Sequence, residues 1–237
     1  MRAVSGTAYE SLFMPTQKAY TAALLALAVV TWASLLLIRG TPITWELLWP
    51  FGTVLTVLTT AATVFDRFAW RWPGVRTVVQ RPDLSGTWQV TLHSERINPT
   101  TGAGVPPITA YMTVRQTFTR LSVRLMTSES ASWLVAHSIF DADAGVYHLA
   151  TVYMNQPRLE LRGIRSEIHY GAFLVKILGT PATSMEGHYW TDRQTRGTMV
   201  LTNRQRRVYE SFQEARDAVS GVAKGDVAKG GLASSAS

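Results

Sequence analysis

The 237-residue chain contains no cysteine. That absence excludes disulfide-stapled scaffolds, thiol nucleophiles and thiolate zinc or iron–sulfur sites, and it suits a reducing compartment. Lysine is almost as scarce: of 23 basic residues 4 are lysine and 19 are arginine. The net charge of +7 is therefore carried by guanidinium groups, which pair with phosphate, lipid headgroups or nucleic acid. Charged residues make up 16% of the chain and apolar ones 46%, too apolar a balance for a disordered polypeptide.

Catalytic motifs are missing as well. There is no Walker loop, nucleophile elbow or HExxH, and His93, His137, His148, His169 and His188 fall on separate expected strands without metal-ligand spacing. Asp141-x-Asp143 followed by Gly145 is a poor calcium loop, because the glycine is misplaced and Val152 stands where a bidentate glutamate belongs. It reads as a turn. Gly102-Ala103-Gly104 precedes prolines instead of a helix, so it is a loop and not a dinucleotide fingerprint. No catalytic residue, metal or cofactor is expected.

Two uncharged runs lie near the start. Ala19 to Ile38 is bracketed by Lys18 and Arg39 and matches a bilayer-spanning helix. Leu47 to Phe65 is richer in threonine and carries Pro50 and Gly52, yet it follows so soon that it reads as the return leg of a transmembrane hairpin. Arg2 and Lys18 precede the pair, Arg67, Arg71, Arg76 and Arg81 follow it, and only Arg39 lies between. Both ends are then cytoplasmic. Ala22 and Ala26 on the first run, and Thr53, Thr56, Thr60 and Thr63 on the second, form small-residue stripes. Such stripes pack helices within one hairpin or between copies, the latter giving a homo-oligomer in the lipid bilayer.

Beyond Arg81-Pro82 the periodicity falls to two. Strands are expected near 84–94, 108–118, 121–128, 132–140, 146–155, 166–177, 186–191 and 195–202, with turns at 141–145 and 192–194. Closing eight sequential antiparallel strands into a small up-and-down β-barrel removes the two open edges. The expected organisation is a cytoplasmic segment 1–18, a transmembrane hairpin 19–65, a basic linker 66–82, a barrel 83–208 and a disordered tail 209–237 that starts as a short helix over 211–219.

The candidate site residues are polar or aromatic side chains in rows that face inward. Gln116 stands within the otherwise apolar row Ile108, Ala110, Met112, Val114 and Phe118. Tyr147, Tyr153 and Asn155 share another row, Tyr189, Thr191, Arg193 and Thr195 a third, and His169 stands on the strand between. Each has an ordinary structural reading, such as a core tyrosine with a satisfied hydroxyl or a solvated turn arginine, and Trp88 reads as a barrel plug. The functional reading is convergence on an anionic, planar ligand, in which arginine clamps phosphate and tyrosines stack on bases.

Several strings then show a resemblance: Leu84-Ser85-Gly86-Thr87-Trp88, Gln116, Tyr147-x-Leu149-x-x-x-Tyr153-x-Asn155-x-Pro157, His169-Tyr170-Gly171, and the run from Gly187 to Gly197. Together with the two-span start, over residues 19–203, they resemble the CBASS antiphage effectors, in which two transmembrane helices precede a minimal β-barrel. Thr151 departs from the pattern, since relatives often carry an aromatic there. The resemblance implies a signalling effector and not an enzyme. Its barrel would bind a cyclic dinucleotide made by a linked CD-NTase, and its helices would then oligomerise, disrupt the inner membrane and cause abortive infection. DNA and RNA are not implied. The alternative is a membrane-tethered, lipocalin-like carrier of a small apolar ligand, because Gly86-x-Trp88 also opens lipocalin-type barrels.

Overall fold

In a computed structural model of the chain, residues 45–97, 102–143, 145–162 and 167–221 are described, with scattered positions between 26 and 40. The chain divides into two compact units, Met1–Ala69 and Trp70–Ser237.

In the first unit, helix α1 covers Trp45–Arg67. Thr56 and Thr63 donate their hydroxyls to the carbonyls of Gly52 and Thr59, each at 2.8 Å. Back-bonding of this kind satisfies a threonine where solvent is absent, and Val57, Leu58 and Val64 stand exposed beside it. Among the described residues no helix is long and apolar enough to cross a membrane. In α1 the threonines and the charged ends dilute the hydropathy. Of the run expected over 19–38, Ala22 lies outside the described residues and Ala26 is helical and exposed.

The second unit is a closed barrel in which each of eight strands pairs with its chain neighbours and β8 returns to β1. The strands are β1 Gly86–Ser94, β2 Ile108–Gln116, β3 Leu121–Met126, β4 Ser130–Asp143, β5 Val146–Pro157, β6 His169–Leu178, β7 Ser184–Thr191 and β8 Arg196–Gln205. The reason is alternation: odd positions from 149 to 157 in β5 and from 171 to 177 in β6 are buried while even ones are half-buried or exposed, the pattern of a sheet with one face inward. Register shifts in β4, between Leu134 and Ala136 and between Asp141 and Asp143, add the curvature that closure needs. At the seam, Gly86 takes φ +124°, and a Cβ there would lie 2.2 Å from the Gln205 carbonyl oxygen, so only glycine lets the strands meet.

The core fills the middle and lower lumen, where "lower" is the end at which β1 begins. Trp88, Leu149, Met112, Met185, Met199 and Leu201 are buried there, so Trp88 is the plug its sequence context suggests. Trp88 Nε1 donates to the Leu84 carbonyl at 2.9 Å, and the Arg204 guanidinium lies 5.4 Å from its ring centroid.

Two expected boundaries move. Residues 70–82 are not a free linker: Trp70 is buried, tilts against Phe118 at 6.3 Å and is followed by helix α2 over Pro73–Val79. Residues 209–221 are not a loose tail either. Helix α3, over 212–221, covers the outer face of β2, where Phe212 meets Tyr111 edge-on at 5.4 Å and Ala215 is fully buried. Apolar outward residues on β2 and β3, Tyr111 and Met126, need a cover, and the amphipathic segment supplies it.

Candidate ligand site at the upper mouth of the barrel

Cross-strand register assembles the upper end row by row. Ser132 stands opposite Asn155, which stands opposite His169; Leu134 faces Tyr153, then Gly171, then Thr191. A third row runs Thr151, Phe173, Tyr189, Gly197 and Ser94. Three rows on adjacent strands thus bring Tyr153, Asn155, His169, Tyr189 and Thr191 to one mouth, with the β7–β8 turn above them.

Two glycines make room for the two tyrosine rings. A Cβ on Gly171 would stand 2.4 Å from Cζ and the hydroxyl of Tyr153, and one on Gly197 would stand 3.0 Å from Cε1 of Tyr189. Each ring therefore lies over the glycine paired with it, an arrangement that covers the bare backbone and fixes the ring. Burial, with smaller contributions from Tyr189 and Asp192, pushes the Tyr153 phenol up to about 12. At neutral pH it is an un-ionised donor.

The polar groups cluster at this end of the barrel. Ser132 Oγ donates to Asn155 Oδ1 at 2.8 Å, which orients the amide so that its nitrogen carries the free donors among the described residues. His169 Nδ1 lies 3.1 Å from the Glu167 carbonyl, so that nitrogen is the donor. The Thr191 and Thr195 hydroxyls meet at 2.6 Å, and Thr191 N donates to the Thr195 carbonyl at 2.9 Å. They clamp a turn whose Gln194 takes φ +57°, and Arg193 is exposed at its tip. Phenols, an amide, an imidazole and a guanidinium can together bond base edges and phosphate oxygens.

Two expected residues lie elsewhere. Gln116 is at the lower end, where its Oε1 accepts from Leu84 N at 2.9 Å and its Nε2 donates to the Pro82 carbonyl at 3.0 Å. The amide is consumed in tying the strap Pro82–Ser85 across the lumen. Tyr147 also lies low, on the wall of a separate chamber. Beside that strap, Asp83 lies 3.2 Å from Arg204 and 3.6 Å from Arg71. Burial pushes its carboxyl up, but hydrogen bonds from Ser85 and the two arginine charges outweigh this and hold it below the usual range. Sequence reasoning missed Ser132, Gly171 and Gly197 as shapers of the mouth, because only register reveals which residues stand opposite the tyrosines.

The model of the Cap15 cyclic dinucleotide receptor domain matches residues 79–203, which span every strand but the last residues of β8. The chain belongs to that family. Its relatives include CD-NTase-associated protein 15 of Staphylococcus schleiferi, 25% identical over 172 residues that cover 70% of this chain and 87% of the relative. Another is CD-NTase-associated protein 15 of Yersinia aleksiciae, 29% identical over 141 residues, 58% of this chain and 63% of that protein. Family membership fits a receptor role for the barrel and supports the CBASS resemblance drawn from the motif strings. The matched span contains the whole upper mouth.

Proposed function

We propose that this protein is a CBASS antiphage-defence effector whose barrel binds a cyclic dinucleotide made by a partner CD-NTase. The ligand sits at the upper mouth, its bases against Tyr153 and Tyr189 and bonded by Asn155 and His169, its phosphates toward Arg193 and the threonine-clamped turn. The segments around 19–38 and α1 lie in the inner membrane with the barrel on the cytoplasmic side. Ligand binding shifts the hairpins toward an oligomer that disrupts the membrane and kills the infected cell. A ligand shifts such an equilibrium only by its difference in affinity for the two states, so the bound barrel must favour the assembled form.

The observation that carries the reading is the convergence, in a family of cyclic dinucleotide receptors, of five expected residues on one mouth. The lipocalin-like alternative needs an apolar chamber in the lumen, and there Trp88, Met112, Met185 and Met199 pack against one another instead.

The test is calorimetric titration of the full chain in detergent with a panel of cyclic dinucleotides and with fatty acids. Micromolar or tighter binding of one cyclic dinucleotide is expected, lost in Asn155→Ala and lost in the exposed Arg193→Ala at an unchanged melting temperature. Binding of fatty acids alone, or a cyclic dinucleotide affinity indifferent to both substitutions, would refute the assignment.

A further inference from the structure

The lower end of the second unit holds a chamber of about 690 Å³ between α2, the β4–β5 turn and the β6–β7 loop. It shares no residue with the upper mouth. Its cations are Arg76 on α2 and Lys176 on β6, while Arg81, which also lines it, donates to the Phe118 carbonyl and lies over the Phe118 ring; no carboxylate is among its described lining residues. Of the described acids on these elements, Asp141 accepts from Gly145 N, and Glu186 stands opposite Lys176 in the register of β6 and β7. The remaining walls are mainly apolar, from Val146, Leu178 and Pro181. A phosphate with an apolar body attached is the ligand class that fits Arg76 and Lys176 above such a floor.

Helix α2 supplies a second observation. Trp72, just before it, is 58% exposed, and Val78 within it is 82% exposed, while Arg76 from the same turn lines the chamber. An exposed indole and an exposed aliphatic beside basic residues are the marks of an element at a membrane interface. Only residues 68–72 separate it from the end of α1.

We propose that the lower chamber seats the phosphate headgroup of an anionic phospholipid, with Arg76 and Lys176 as its ligands and α2 lying in the membrane interface. This deepens the proposed function and rests on α1 lying in the membrane.

Native mass spectrometry of the full chain in detergent tests this with added phosphatidylglycerol, phosphatidylcholine, inorganic phosphate and cyclic dinucleotide. Phosphatidylglycerol should be retained over phosphatidylcholine by at least about tenfold, and Arg76→Gln/Lys176→Gln should remove that preference, as expected for the loss of two headgroup-facing charges. Lys176→Gln alone, at an exposed position, should weaken retention with the melting temperature intact. Equal retention of the two lipids, or an unchanged double variant, overturns the proposal. Displacement by millimolar phosphate would make the chamber a site for soluble anions, and displacement by cyclic dinucleotide would make it the messenger site; either also overturns it. Failure of the membrane reading shows separately, as release of the chain from cell membranes by alkaline carbonate.

Discussion

Tyr153 shows how one side chain carries both stability and a measurable signature. Its ring is wedged between Phe173, at a centroid distance of 6.1 Å, and the bare Gly171 backbone. Its phenol titrates near 12 instead of the ordinary 10 because the phenolate is poorly solvated. The folded pKa is thus raised, so the associated stability is fully present below pH 10 and is lost as pH rises through 12. A spectrophotometric titration at 295 nm should show one tyrosine ionising last, and that phase should vanish in Tyr153→Phe. If the slow phase persists in that variant, it belongs to another tyrosine. Asp83 runs in the opposite sense: its lowered pKa adds stability above the ordinary 3.8, and that is lost as pH falls through the folded value. Such assignments were beyond the sequence, since nothing in the string around Tyr153 says that a glycine faces it.

At the scale of elements, the additions to the barrel matter as much as its strands. Helix α3 keeps Tyr111 and Met126 at 2% exposure, and Thr113 Oγ1 donates to the Tyr209 carbonyl at 2.8 Å just before it. Ending the chain at 208 should therefore cost about 2–5 kcal/mol of barrel stability, read as a lowered denaturation midpoint, by analogy with emptying a core site. Ala215→Glu should do the same from a single position, because a carboxylate would enter a fully buried contact. A midpoint unchanged by both would mean that the helix merely rests on the surface. The helix itself was legible in the sequence over 211–219. Its docking was not, because amphipathicity marks a buried face without naming the surface that buries it.

For the whole molecule, the proposed sensing and membrane roles should be separable, because the residues assigned to them lie in different compact units. Thr56→Leu/Thr60→Leu should leave cyclic dinucleotide affinity within about twofold of wild type, changes in separate units being close to additive. The same protein should lose most ligand-dependent depolarisation of cells if that helix face packs between copies. Full depolarisation by the double variant would restrict the stripe to contacts within one hairpin. The i−4 hydroxyl bond of Thr56 is internal to α1, so its loss should not unfold the helix.

The sequence by itself determined the number of strands, their antiparallel meander and, through period-two alternation, which side chains face inward. Cysteine and lysine scarcity bounded the chemistry, and the motif strings pointed to the family. Tertiary structure alone decided the height of each inward residue along the barrel axis. Alternation is blind to register, and strand tilt and shear fix how far one row climbs as it crosses to the next strand. For that reason Gln116 and Tyr147, which share a face with the site residues in sequence, fall at the lower end, while Ser132 and Gly171 rise into the mouth.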